Sequence, residues 1–248
     1  MIPYRRLLLN SMVKSNDSRE YKKFMFAASY WPTNTIYDSK TQNEFNSKIL
    51  REDCKSISFS TFYNVYLGFE YSNMWAHYGE KHKGICLRMN KKKFEKGNER
   101  ILWSGSFKPI TYYKLEDGFS HPEIRYPNSQ SQEIFKDYLL NKFRYENLDF
   151  LYFMKREEWF SEHELRLIIF SKSKEKEFCS IKDSLNAIIL GMDYSHKNDH
   201  LIYKYSKQIP IFKLDYNGDR IIEKEYEPTA GPLHFISDFL YKRRIYDK

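Results

Sequence analysis

Two short apolar runs set the terms for this chain: EHELRLIIF at 162–170 and LNAIILG at 185–191. Each is too short to span a membrane and reads as a central β-strand. The patterns around them change type without regular order. FMFAAS at 24–29 reads as a strand before the turn formers WPTN, and 41–54 carries Phe45, Ile49 and Leu50 at helical spacing. SISFSTF at 56–62 alternates apolar and hydroxyl residues, as a half-buried strand does, and GICLRM at 84–89 reads as another strand. A hairpin is expected over 99–114, and a loop over 118–131, where Gly, Pro, Asn and Ser gather. The longest helical pattern, 132–157, is apolar round much of its circumference and predicts a long buried helix. Downstream, 196–205 is helical, 209–216 and 220–226 flank the turn Asn217-Gly218, and 232–244 closes the chain as a helix. Irregular mixing of this kind predicts one α+β domain over 1–248. It has a central mixed or antiparallel sheet, the long buried helix and flanking helices.

A core of this size is available because the chain holds 21 Tyr, 19 Phe and 4 Trp, rings that bury large areas with few rotatable bonds. The net charge is +8, a balance that favours nucleotides, nucleic acid or other polyanions as partners. Three cysteines, Cys54, Cys86 and Cys179, lie far apart with no CxxC, which suggests neither a zinc ribbon nor a disulfide framework. The first residues, MIPYRRLLLNSM, turn polar too early for a signal peptide, and no apolar run reaches membrane-spanning length. A cytoplasmic protein without a membrane partner is the expectation.

No phosphate loop, dinucleotide-binding glycine pattern, HExxH, GxSxG or zinc-deaminase pattern occurs. His196 and His200 stand at a spacing that can hold a metal, but within the polar run HKNDH they are expected to lie on a solvated helix face, and no metal is predicted. Three clusters carry possible chemistry. Met74 to Gly84 sets Trp75, His77, Tyr78 and His82 close together, giving donors, acceptors and stacking faces, or else a packed turn. Glu162-His163-Glu164-Leu165-Arg166, read as a strand, puts Glu162, Glu164 and Arg166 on one face. Such charges in an apolar strand are costly unless paired or used, and a Glu164–Arg166 salt bridge is the structural alternative. Ser58, Ser60 and Thr61 offer hydroxyls suited to a ribose or phosphate, although hydroxyls are common on an outward strand face.

In these stretches (SISFST, NMWAHYGEKHKGICLRM, WFSEHELRLIIF and LNAIILG, in this order and spacing) the chain resembles a bacterial family catalogued as domain of unknown function 2971. The resemblance covers roughly 24–213. It departs from the family at Trp31-Pro32-Thr33-Asn34, where members carry an Asn-Asp-Pro turn. The resemblance implies no established reaction; it implies a bacterial setting linked to phage defence, where a toxin-like activity with an antitoxin or sensor partner is the expectation.

Three functional classes fit the clusters. The first is an NAD-using ADP-ribosyltransferase-like enzyme with a split sheet, in which Arg5 or Arg6, the Ser58–Thr61 hydroxyls and the Glu162-x-Glu164 pair follow in that order. Glu164 then stabilises oxocarbenium character at the ribose, Glu162 orients the acceptor, and Trp75 or Tyr78 stacks on nicotinamide, with His77 and Arg166 completing the site. The second is a metal-dependent nuclease with Glu162, Glu164 and His77 as ligands, and the third a non-catalytic nucleic-acid or nucleotide binder using Trp75, Tyr78 and Arg166.

Overall fold

A computed structural model describes residues 5–14, 26–28, 39–62, 67–114, 116, 121–124, 131–218 and 220–229. The expected loop at 118–131 falls largely outside these residues, and the turn at 31–34 and the closing helix at 232–244 fall wholly outside them. The fold is α+β, with antiparallel and mixed sheets. The chain forms two interleaved compact units, Met1–Thr61 with Asn98–Ser180 and Phe62–Gly97 with Ile181–Lys248.

The first unit is built on a four-stranded sheet in the order β2 (Asn10–Ser11), β4 (Cys54–Ser60), β10 (Glu164–Phe170), β6 (Gly105–Pro109). The apolar run 162–170 supplies β10, which pairs antiparallel with both neighbours and is buried along almost all its length, as its composition demands. The register places Arg166 opposite Ser58 and Glu164 opposite Ser60. Short pairs complete the unit: β1 (Arg6–Leu8) with β11 (Phe178–Ser180), β3 (Ala27–Ala28) with β8 (Glu123–Ile124), and β7 (Thr111–Tyr113) with β9 (Met154–Arg156). Leu50, Leu139, Phe143, Tyr152, Phe153 and Ile168 lie at the heart of the core, and the Tyr152 hydroxyl donates to the Leu50 carbonyl at 2.5 Å.

Three expectations are corrected in this unit. The long helix over 132–157 is broken into α-helix Gln132–Tyr138, a π-helical turn Leu139–Phe143, and the turns Arg144–Glu146 and Leu148–Tyr152. A break falls at Asn147, which leaves helical geometry at φ −117° and ψ 25°, although its backbone N–H and its side-chain amide both donate to the Phe143 carbonyl, at 3.1 and 2.9 Å. The hairpin over 99–114 is instead a helix, Glu99–Ser104, followed by two strands that pair elsewhere, β6 with β10 and β7 with β9. Gly105 permits this: a Cβ there would lie 2.5 Å from the Ile168 carbonyl oxygen. Finally, β10 begins at Glu164, not Glu162. The segment Glu157–Glu162 is a 3-10 helix, and His163 turns the chain through the left-handed region at φ 41°.

The second unit is a four-stranded sheet in the order β14 (Arg220–Glu225), β13 (Ile211–Asn217), β12 (Leu185–Leu190), β5 (Ile85–Met89). As the apolar run at 185–191 predicts, β12 is internal, parallel to β13 and antiparallel to β5. The β13–β14 hairpin turns at Gly218, φ 62°, one residue later than the expected Asn217-Gly218 turn, because Asn217 pairs with Arg220 as the last residue of β13. Phe69, Trp75, Ala187, Ile189 and Leu214 form its core. The helix Ser72–Tyr78 is followed by Glu80, Lys81 and His82, all at positive φ, and the carbonyl of His82 packs so tightly on Gly191 that any side chain at Gly191 would collide with it.

Candidate functional site

The C-terminal half of the broken helical segment and the strand that follows bring four charges into the first unit's interior. Glu164 and Arg166, two apart on β10, share a strand face, and the 3-10 helix before them carries Glu162. Lys155 reaches the same place from β9. Their exposures are 3% for Glu164, 3% for Arg166, 4% for Lys155 and 6% for Glu162, so all four have left bulk water. Moving one ion out of water costs several kcal/mol, and the cluster stands because two cations meet two carboxylates at hydrogen-bonding distance.

Glu164 is at the centre. Its Oε1 accepts from Arg166 Nε at 2.6 Å and from the Ser58 hydroxyl; its Oε2 accepts from Arg166 Nη2 at 3.0 Å and meets Lys155 Nζ at 2.8 Å. Four donors thus occupy the acceptor directions of one carboxylate. Lys155 also donates to Glu162 Oε2 at 2.7 Å, and Arg166 Nη1 donates to the Tyr152 carbonyl at 2.8 Å. The Glu164 amide donates to the Tyr112 hydroxyl at 3.0 Å, and Lys155 lies 5.2 Å from the Trp159 ring.

Burial alone would raise the Glu164 carboxyl pKa. The Arg166 guanidinium and the Lys155 ammonium outweigh it and bring the pKa down to about 2. Burial pushes the Tyr112 phenol up to about 12, and burial lowers the His163 imidazole. At neutral pH the centre therefore holds a fixed negative charge and a protonated phenol. Such a carboxylate can orient a hydroxyl or stabilise a developing cation, whereas a proton donor needs a pKa near the working pH.

The structure joins most of the first unit's sequence-predicted residues. Ser58 touches Glu164 directly; Ser60 lies opposite it in register; Thr61 donates to the His163 carbonyl at 2.9 Å. Glu162 joins through Lys155 rather than through a shared strand face. Arg5, at positive φ, precedes β1, which pairs with β11 and not with β4 or β10. Lys155 and Tyr112 were missed. Lys155 sits in a stretch whose periodicity reads as helix, and only the β7–β9 pairing, invisible in sequence, brings it and Tyr112 to the cluster.

Trp75, His77 and Tyr78 belong to the second unit. Trp75 is committed to its core, with Nε1 donating to the Phe69 carbonyl at 2.7 Å and its ring stacked on His82 at 5.7 Å. His77 and Tyr78 are exposed, Tyr78 at 49%, and their rings meet edge to face. Among the described residues, no group of three or more His, Cys, Asp or Glu side chains gathers as a metal-binding set, and no helix is long and apolar enough to cross a membrane.

No curated protein and no solved structure matches the chain. Ser58 to Thr61 and Arg5 lie outside the segment that a family model covers, whereas Trp75, His77, Tyr78, Lys155 and the Glu162-x-Glu164-x-Arg166 residues lie within it. Residues 74–167 match the family described as a protein of unknown function (DUF2971), the one that MWAHYGEKHKG and the ExExR segment resemble.

Proposed function

We propose that the protein is an NAD-using transferase of the ADP-ribosyltransferase kind, with Glu164 as its electrostatic centre. One observation carries the reading: the hydroxyl strand β4 lies directly beside the carboxylate strand β10, and Ser58 donates to Glu164. A ribose binds through vicinal hydroxyls, and one of them reaches Glu164 by taking the acceptor position that the Ser58 hydroxyl fills, with Ser58 turning to the ribose while Arg166 and Lys155 keep theirs. NAD supplies a glycosidic carbon that gains positive charge as nicotinamide leaves with the bonding electron pair. A carboxylate ionised at every working pH stabilises that charge. Arg166 and Lys155 fix the carboxylate in place, and Glu162, held by Lys155, is the group assigned to the acceptor.

The transferase reading rests on the first unit alone. The nuclease reading needs in addition His77, which belongs to the second unit, as a ligand. The net charge of +8 favours a polyanionic acceptor or partner such as nucleic acid. No disulfide joins the three cysteines, and burial pushes the Cys86 thiol up to about 11 and the Cys179 thiol up to about 12, which suits a reducing cytoplasm. The defence setting implied by the family resemblance makes toxin-like use, restrained by an antitoxin or sensor partner, the corresponding biological role.

Incubation of the purified chain with NAD tests the reading. Free nicotinamide is expected from the wild type, and about a hundredfold less from Glu164→Gln. No release above the protein-free blank, with nucleic acid supplied as acceptor, overturns it.

A further inference from the structure

The transferase reading leaves the Tyr112 phenol without a part. Tyr112 stands in the middle of β7, and the parallel register with β9 matches it to Lys155. Its hydroxyl oxygen accepts from the Glu164 backbone N–H at 3.0 Å. A backbone N–H only donates, so the oxygen is the acceptor in that bond and the phenolic hydrogen is left over. No second hydrogen bond of this hydroxyl occurs among the described residues. Burial pushes the phenol up to about 12, so it keeps its hydrogen through the working range and serves as a donor rather than as an acid.

The surroundings are aromatic. The Phe160 ring meets the Tyr112 ring edge to face at 5.3 Å and the His163 ring at 4.6 Å, and Lys155 lies 5.2 Å from the Trp159 ring. Trp159 and Phe160 are consecutive on the 3-10 helix Glu157–Glu162. The four charges of the cluster are buried, whereas Tyr112 and Trp159 are half-buried and Phe160 is 38% exposed. The Glu164 centre is thus flanked by rings that keep part of their surface in solvent, with an unused hydrogen-bond donor among them.

We propose that Tyr112 binds the nicotinamide end of NAD, its hydroxyl donating to the carboxamide carbonyl oxygen while Glu164 holds the ribose. This rests on the NAD reading of the site and adds to it the residue that recognises the leaving group. Nicotinamide is a flat ring carrying one strong carbonyl acceptor, and aromatic side chains with a donor at their edge match both features. The ring is cationic in NAD and neutral once released, so aromatic neighbours hold it more firmly before the bond breaks than after. Tyr112 takes no part in bond breaking, and its loss should raise KM rather than lower kcat.

Two unreactive ligands test this by calorimetry: carba-NAD, whose carbocycle cannot form the oxocarbenium ion, and ADP-ribose, which lacks nicotinamide. Wild type should bind both. Tyr112→Phe keeps the ring and its packing on Phe160, so carba-NAD should bind about tenfold more weakly, with ADP-ribose unchanged. A loss shared equally by both ligands, or none for carba-NAD, overturns the proposal. On the wild type alone, nicotinamide should displace carba-NAD at about tenfold lower concentration than thionicotinamide, whose sulfur is the weaker acceptor. Equal displacement overturns it as well. Carba-NAD binding as described, without nicotinamide release from NAD, sinks the transferase reading and leaves this one standing; no binding of carba-NAD ends both.

Discussion

Lys155 on β9 and Glu164 on β10 meet at 2.8 Å, Nζ to Oε2, with the left-handed residue His163 between them in sequence. That turn ends the 3-10 helix and starts the strand at the residue that places one carboxylate between an ammonium and a guanidinium. Two cations and two anions cancel, so the cluster is neutral as a whole and charged at every part.

Removing one member breaks the cancellation. Lys155→Met leaves two buried carboxylates facing a single guanidinium, and a loss of about 3–5 kcal/mol in unfolding free energy is expected from urea denaturation. Adding Glu162→Gln to Lys155→Met restores charge balance and should recover part of that loss. Strict additivity of the two single changes would contradict the pairing.

Acid should act through the same group. A folded-state pKa depressed to about 2, against an ordinary value of 4.5, means that the contribution of Glu164 is fully present above about pH 4.5. It falls away as the pH drops toward 2, by about 3 kcal/mol in total. Denaturation midpoints from pH 6 down to 3 should decline more steeply in wild type than in Glu164→Gln, and parallel declines would count against the assignment.

Ser58→Ala separates stability from activity. The hydroxyl donates one hydrogen bond to an ionised group, so the stability cost should be about 2 kcal/mol, well short of unfolding the chain. If β4 presents this hydroxyl to a ribose beside Glu164, nicotinamide release should fall about tenfold or more while the far-UV spectrum is unchanged.

Much of the architecture was legible from pattern. The apolar runs at 162–170 and 185–191 gave internal strands, and Asn217-Gly218 gave its hairpin to within one residue. Periodicity failed at Asn147, where the backbone leaves helical geometry inside an apolar stripe, and at Gly105, whose missing side chain allows close strand pairing. In the candidate site, Glu164 and Arg166 were legible because charge inside an apolar strand is conspicuous. Lys155 and Tyr112 were not, because they arrive through the parallel pairing of β7 with β9, which leaves no mark in either segment alone.

The second unit offers a test of tight packing. The His82 carbonyl fills the space where a side chain at Gly191 would sit, so Gly191→Ala must displace the left-handed turn at Glu80, Lys81 and His82. A loss of about 3 kcal/mol in thermal or chemical unfolding is expected. Trp75→Ala should cost about 3–5 kcal/mol, since the ring is core and its N–H is satisfied internally.

The most direct check is the charge on Glu164 itself. Carbon-13 NMR of glutamate-labelled protein, with the Glu164 signal assigned by its loss in Glu164→Gln, follows that carboxyl through acid. Its shift should stay at the ionised value from pH 7 to pH 3.5, where an ordinary glutamate is mostly protonated. A midpoint near 4.5 would show that Lys155 and Arg166 do not hold it as described.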